Sequence, residues 1–181
     1  QALAAREPYR ELFPAALQRR MNAKLGLDEV RAGDAELTEE LLQLMARERT
    51  DYTIFWRRLS LAAAETDQAS GPAWQAVRDL FLDRDGFERW SLRWRERLGA
   101  AGTGCANAQQ LSRRMLGVNP RVVLRNHLGE LAIRSARLGD FSALGRLQAA
   151  LARPFDDVAG SDDLAAFPPD WASGISISCS S

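Results

Sequence analysis

Apolar positions along the chain recur mostly at spacings of three and four, so the pattern reads as helices with few strand signals. Between Pro8 and Leu25, the residues Leu12, Phe13, Ala16, Leu17 and Met21 share helical spacing, and Pro14 either kinks that helix or opens a second piece at its first turn. Gly26 supplies a stop, because glycine accepts the left-handed conformation that ends a helix. The polar stretch Leu27 to Glu36 predicts a loop. Thr38 is a candidate cap for a helix carrying Leu41, Leu42, Leu44 and Met45, and Asp51 for another that runs to about Ala64 with Ile54, Phe55, Leu59 and Ala62 inward.

Residues 65–71 (ETDQASG) read as a linker. Pro72 suits the first turn of a helix bearing Trp74, Val77, Leu80 and Phe81. Asp85 and Glu88 have the spacing of a capping box, and behind them Phe87, Trp90, Trp94 and Leu98 line one helical face. The glycine-rich stretch Gly99 to Ala106 is a connection. It is not a phosphate-binding loop, since no strand precedes it and no Lys-Ser/Thr pair follows. A short helix is expected over Ala108 to Leu116. Asn119-Pro120 then reads as cap and first turn of a helix reaching about Leu138 and stopping at Gly139, and Asp140 as the cap of a last helix ending before Pro154.

From Phe155 the periodicity is lost. An acidic patch (Asp156, Asp157, Asp162, Asp163) precedes Phe167-Pro168-Pro169 and Trp171, aromatic residues suited to pinning a tail or, alternatively, to docking a peptide. Ile175 and Ile177 alternate with serines, as in an extended segment lying on a surface. The predicted fold is all-α: an irregular bundle of about seven helices with an extended C-terminal tail. No self-similarity at helical-repeat length is visible, which disfavours a repeat array.

Composition narrows the function. A chain of 181 residues with 46% apolar content can build a core, as one domain or a domain plus an appendage. Its formal net charge is zero, against a nucleic-acid partner held by bulk positive charge. Cations are almost all Arg, Lys24 being the sole Lys; Arg pairs with carboxylates and stacks on aromatics such as the five Trp, though codon composition explains the bias more simply. No run is long and apolar enough for a membrane helix, and the N-terminus lacks the apolar core of a secretion signal. The start at Gln1 suggests a processed chain or a piece of a longer one. Two cysteines without CxxC spacing and a lone His127 indicate neither a disulfide scaffold nor a metal site.

Three blocks carry a resemblance to a known family. MNAKLGL (Met21 to Leu27), followed by a Leu-rich helix and DYTIFWRRLS (Asp51 to Ser60), is similar to the KLGL and DYT-aromatic-Arg-Leu motifs of the SelO-family (YdiU-type) protein adenylyltransferases. VNPRVVLRNHLGELAIRSARLGDFS (Val118 to Ser142) resembles the same family's Asn-Pro, Leu-Arg-Asn and Gly-Asp-Phe sequence, and is the most specific block. RPFDD, PPDW and the closing ISISCSS resemble its C-terminus, where some relatives carry selenocysteine at the position matching Cys179. Trp56 stands where an aromatic or other bulky residue is usual, and His127 where an aromatic is common.

The resemblance covers nearly all of this chain but only the last third or so of a typical member. It implies the C-terminal part of a protein-kinase-like fold, in an enzyme that moves AMP from ATP, with Mg or Mn, onto hydroxyl side chains of proteins. The nucleotide- and metal-binding residues of such an enzyme lie upstream, so no catalytic, cofactor-binding or metal-binding residue is expected here. Residues 1–64 would complete the kinase-like C-lobe, 65–154 would form an appended helical bundle, and 155–181 a tail. The partners implied are that missing body and protein substrates, with no nucleic acid and no membrane. The location would be the bacterial cytoplasm, or mitochondria for an organellar relative.

Among single residues, Cys179 is the redox candidate: a thiol near a chain end is accessible to oxidation or disulfide exchange, against which the nearby terminal carboxylate disfavours the thiolate. The match to a selenocysteine position implies a redox switch tying the tail to the body, and Cys105 is one possible partner. Arg125, Asn126 and His127 are expected mid-helix, where Asn needs a hydrogen-bond partner; they serve either as anchors within the bundle or as contacts to the missing body. Trp90 and Trp94 read as core rather than a partner-binding stripe, and Asp83, Asp85 and Glu88 as capping and solvated groups rather than an acid/base pair. Asp34 and Glu36 read as ordinary loop residues.

The leading expectation is a structural and regulatory segment of an AMP-transferring enzyme. The alternative is a freestanding helical protein-interaction module, which a Trp-lined exposed apolar groove would favour; an independent enzyme is disfavoured by the lack of a nucleophile–base pattern. A piece separated from its body should also expose apolar surface, through which it could dimerise.

Overall fold

Nine α-helices and no strands occur among the described residues of the computed structural model, which are 6–65, 71–99 and 108–175, with side chains described from residue 12 onward. The chain divides into two compact units, Gln1–Asn119 and Pro120–Ser181. The first holds α1 (Arg6–Lys24), α2 (Asp34–Glu48), α3 (Tyr52–Ala62), α4 (Pro72–Arg78), α5 (Arg84–Gly99) and α6 (Ala108–Leu116). The second holds α7 (Asn126–Arg137), α8 (Ser142–Ala152) and α9 (Asp162–Ala165).

Helix α1 runs through Pro14 as one helix and ends at a glycine in the left-handed conformation, Gly26, with φ 74°. The Gly26 N–H donates to the carbonyl of Ala23, and the Leu27 N–H to that of Asn22. These two bonds satisfy carbonyls that the helix leaves open and fold the chain back so that Leu25 and Leu27 both enter the core. Asp51 caps α3 as expected, its carboxylate accepting from the Ile54 N–H at 2.9 Å. Pro72 takes the first position of α4, whose free N–H groups at Ala73 and Trp74 donate to Glu65 from the preceding 3-10 turn, Ala63–Glu65.

Three expected caps are replaced. Thr38 lies buried inside α2, which begins a turn earlier at Asp34 behind Gly33, whose φ of 89° suits glycine. Asp83, not Asp85, caps α5: its carboxylate accepts from the Gly86 N–H at 2.8 Å, while Asp85 is a first-turn residue. The stretch from Pro120 to Arg125 is not helical, and α7 starts at Asn126 with Arg125 as its cap residue. A proline restricts its own φ but fits extended chain as well as a first turn, and Asn119 spends its side chain on distant partners described below. At α8 the Ser142 N–H donates to Asp140 at 2.9 Å, although Phe141 is the cap residue itself.

The core of the first unit gathers Met21, Leu25, Leu41, Phe55, Trp56, Leu59, Trp74, Phe87, Trp94 and Met115, among others, from all six helices. Its centre is aromatic. Trp74 and Trp94 stack at 6.2 Å between ring centroids, Trp90 and Trp94 at 6.0 Å, and Phe81 and Phe87 at 4.8 Å, with Phe55 meeting Phe81, Phe87 and Trp90 edge-on. Offset stacks and edge contacts are the favoured arrangements of aromatic quadrupoles. Trp90 and Trp94 are thus core residues. This core gathers residues from both sides of residue 64.

The second unit has a smaller core of Val122, Leu128, Ala132, Leu147, Ala150 and Leu164. Here the expected tail is more ordered than its lost periodicity suggests: α9 and a 3-10 segment, Asp170–Gly174, lie within it. Arg121 holds α9 by reaching Ser161, Asp157 and Asp162, and its N–H donates to the Pro154 carbonyl at 2.7 Å. Trp171 sits edge-on to His127 at 6.2 Å with the Arg134 guanidinium over its ring, which pins this part of the tail to α7.

Candidate functional site

The first of the blocks that carry the family resemblance meets Asn119, from the start of the second, on a polar junction in the first unit. Lys24 donates from Nζ to Asn119 Oδ1 at 3.0 Å, and Asn119 Nδ2 donates to the Lys24 carbonyl and, at 2.9 Å, to Ser60 Oγ. Ser60 passes its own hydrogen to the Trp56 carbonyl at 2.7 Å. Asn119 is fully buried, so each of its amide groups needs a partner, and each has one. The Lys24 ammonium also faces the rings of Tyr52 and Trp56, at 5.6 and 5.3 Å. Burial pulls the Lys24 ammonium below its ordinary pKa and pushes the Tyr52 phenol up. Beside them Arg57, buried, donates to the carbonyls of Leu116 and Asn119, filling open acceptors at the end of α6.

A second buried cluster lies on the other side of the α1–α2 loop. Asp34 is 1% exposed. Its carboxylate accepts from Arg97 Nε at 2.7 Å, from the Arg31 N–H at 2.8 Å and from Asn22 Nδ2 at 2.7 Å. Burial is the largest single influence on Asp34 and raises its pKa, but Arg97, Arg31 and Asn22 together outweigh it and hold the carboxyl below its ordinary value. Trp94 Nε1 donates to the Leu25 carbonyl and Trp90 Nε1 to the Leu37 carbonyl, so the same loop is tied to α5 twice more.

These groups were not singled out by the sequence. Asp34 looked like a solvated loop carboxylate, and the signal that could have found it is its position behind a left-handed glycine at a helix start. Lys24, as the sole lysine, and Asn119, before a proline, stood out for other reasons.

The sequence candidates are placed as follows. Cys179 and Cys105 lie outside the described residues. Arg125 and Asn126 are not mid-helix. Arg125 is the cap residue of α7, with its carbonyl accepting from Leu128 and Gly129, and Asn126 is its exposed first residue. His127 is buried beside Trp171, and burial, aided by the Arg125 charge, lowers its pKa. Asp83 pairs with Arg47 at 2.7 Å while capping α5, and Glu88 lies near Arg95 and Arg78, so these carboxylates are held by helix ends and cations. No three His, Cys, Asp or Glu side chains group as a metal site among the described residues.

One open pocket of about 290 Å³ borders the α1–α2 loop and is lined by Arg19, Asn22, Gly26, Leu27, Asp28 and Arg114, with Ala23, Val30 and Val118. Asp28 and Arg114 already pair with each other across it. A magnesium–triphosphate needs carboxylate ligands for the metal and a cradle of N–H donors for the phosphates. Here the one lining carboxylate, Asp28, is already paired with Arg114. What the arrangement does is structural: two polar clusters fix the α1–α2 loop against α3, α5 and the end of α6. No described helix is long and apolar enough to cross a membrane.

The model of the family "Protein adenylyltransferase SelO" matches residues 2–152 of this chain. The "Protein nucleotidyltransferase YdiU" of Variovorax paradoxus is 52% identical over 180 residues, which is 99% of this chain and 34% of that protein. Its namesake in Albidiferax ferrireducens is 50% identical over 184 residues (99% of this chain, 35% of that protein), and the one in Burkholderia thailandensis 46% identical over 174 residues (96% and 32%). The chain therefore spans about a third of the length of the relatives it matches. With most of its length matched by that family's model, and half its residues shared with two of these bacterial proteins, the chain belongs to the SelO protein adenylyltransferase family.

Proposed function

We propose that this chain is the C-terminal structural and regulatory segment of a protein adenylyltransferase, an enzyme that transfers AMP from ATP to hydroxyl side chains of proteins. The observation that carries this reading is the match to nucleotidyltransferases along 99% of the chain but about a third of theirs. On this reading the groups that hold ATP and Mg or Mn belong to the remaining two thirds. Residues 1–64 complete a kinase-like C-lobe, and the helices after them extend it. Exposed Asn126 and its neighbour Arg125 contact that body, and Cys179 acts as a redox-sensitive group on the tail. The enzyme works in the bacterial cytoplasm on protein substrates.

Titration calorimetry of this chain with ATP and magnesium tests the assignment of the nucleotide site. No heat of binding is expected, whereas the full-length polypeptide should bind ATP and label a protein substrate with AMP. Micromolar ATP binding by this chain alone would overturn the reading. A freestanding interaction module would use a Trp-lined groove; Trp56, Trp74, Trp90 and Trp94 are buried in the first core, and Trp171, though part-exposed, packs on His127.

A further inference from the structure

We propose that the pocket beside the α1–α2 loop is a binding site for a small monocarboxylate with an apolar body, its carboxylate taken by Arg19. This goes beyond the assignment above and stands independently of it. The pocket holds about 290 Å³, and its apolar lining comes from the aliphatic side chains of Ala23, Leu27, Val30 and Val118. Small-molecule sites are concave and mostly apolar, with a few polar groups that fix the ligand's orientation; this one lies at the small end of their range. Val30 is 53% exposed, so part of that lining is hydrocarbon left in water, which the apolar body of a ligand would cover.

Charge selects the ligand. Arg19 lines the pocket, is exposed, and has no hydrogen-bond or ion-pair partner among the described residues. Its planar fork of donors matches a carboxylate. The other charged groups of the lining, Asp28 and Arg114, satisfy each other, and Arg114 also donates to the Gly26 carbonyl at 3.4 Å. One uncommitted positive charge is left, which suits one negative charge. A phosphate dianion would call for a second free cation, and an amine would be repelled by Arg19.

The site is also preformed. Asn22, at its base, is buried with its amide fully engaged: it accepts from Gln18 at 2.7 Å and donates to the Glu29 carbonyl at 3.1 Å and to Asp34 at 2.7 Å. Arg97 donates to the same Glu29 carbonyl at 2.8 Å. The loop that carries Leu27, Asp28 and Val30 is thus held from two sides, so no ordering of the walls has to accompany binding. Because Asn22 has no open group to offer, Arg19 is the polar anchor.

The probe is 3-phenylpropionate, with 3-phenylpropanol as its uncharged match. Each is titrated into this chain and into the full-length polypeptide, and binding is read from the methyl NMR shifts of Ala23, Leu27, Val30 and Val118. The acid should give saturable shifts confined to these methyls in both proteins and bind about tenfold more tightly than the alcohol. Arg19→Gln should abolish that preference with no change in melting temperature, since Arg19 holds nothing in the fold. Ala23→Leu fills the pocket and should remove binding of both compounds. Asp28→Asn releases Arg114 and should tighten binding of the acid while leaving the alcohol unchanged. An acid that binds no better than the alcohol, or binds Arg19→Gln as well as the parent, refutes the site, and so do shifts that never saturate. Binding by this chain but not by the full-length polypeptide assigns the pocket to side chains of the body and likewise refutes it. The adenylyltransferase reading survives each of these outcomes, because it stands or falls on ATP binding and AMP transfer.

Discussion

Arg97 grips Asp34 side-on, Nε to Oδ1 at 2.7 Å and Nη2 to Oδ2 at 3.1 Å, joining the start of α2 to the last turn of α5. The carboxylate is buried and the guanidinium nearly so. A pair of this kind is a modest source of stability as a whole, but the loss of one partner strands the other. Asp34→Ala should therefore destabilise the first unit by about 3 kcal/mol. Urea unfolding at neutral pH checks this, and a loss under about 1 kcal/mol would count against the buried-pair description.

The same pair predicts an acid limb. The Asp34 carboxyl is held below its ordinary value near 3.8 in the folded protein. A depressed carboxylate contributes stability that is fully present above its unfolded pKa and is lost as pH falls through the folded one. The Asp34 contribution should thus be level from neutrality to about pH 5 and decline below pH 4. In Arg97→Leu the strongest lowering influence is gone, so the folded carboxyl is depressed less and the acid decline that Asp34 contributes should become shallower. Urea midpoints measured from pH 7 to pH 3 check this, and a decline as steep in Arg97→Leu as in the parent would contradict it.

Asn119→Ala should cost about 2–3 kcal/mol, because it leaves Lys24 Nζ, the Lys24 carbonyl and Ser60 Oγ each short of a buried partner. Lys24→Met keeps the apolar stem and removes only the ammonium, which is half-buried and has water as a substitute; its cost should be about 1 kcal/mol. Because both substitutions break the same Nζ–Oδ1 bond, the double variant should lose less than the two losses added. Additive losses in chemical denaturation would show that the two residues are not coupled.

Gly26 and Gly139 both have φ near 80°, yet they should respond differently to alanine. At Gly26 a Cβ would fall 2.4 Å from Leu111 Cδ1 and 3.0 Å from Met115 Sδ. At Gly139 it would meet nothing within 4 Å. Gly139→Ala should cost only the backbone strain, about 1 kcal/mol, and Gly26→Ala about 2–3 kcal/mol from strain plus displaced α6 side chains. Equal shifts in melting temperature for the two would contradict the packing of α6 on the α1–α2 loop.

The signals read correctly in the sequence were local. Asp51 before Ile54, Pro72 at a helix start and Gly26 at a helix end each act within about four residues, where the backbone groups they satisfy also lie. The misreadings were local chemistry overruled from afar. Asn119 has the right side chain for a cap, but Lys24 and Ser60, 95 and 59 residues away, claim it. Thr38 could cap a helix, but α2 already starts at Asp34, whose carboxylate is fixed by Arg97 63 residues on. The candidate site suffered the same way: Asp34 looked solvated because nothing near it in the chain announces a cation.

Helical class, most helix ends and family membership were determined by the sequence itself, because periodicity, caps and motifs are properties of neighbouring residues. Which polar groups leave water was decided only by the tertiary structure, since burial of a charge depends on what distant segments bring to it. The folded chain thus turned an unremarkable loop aspartate and a proline-preceding asparagine into the two fastenings of its first core.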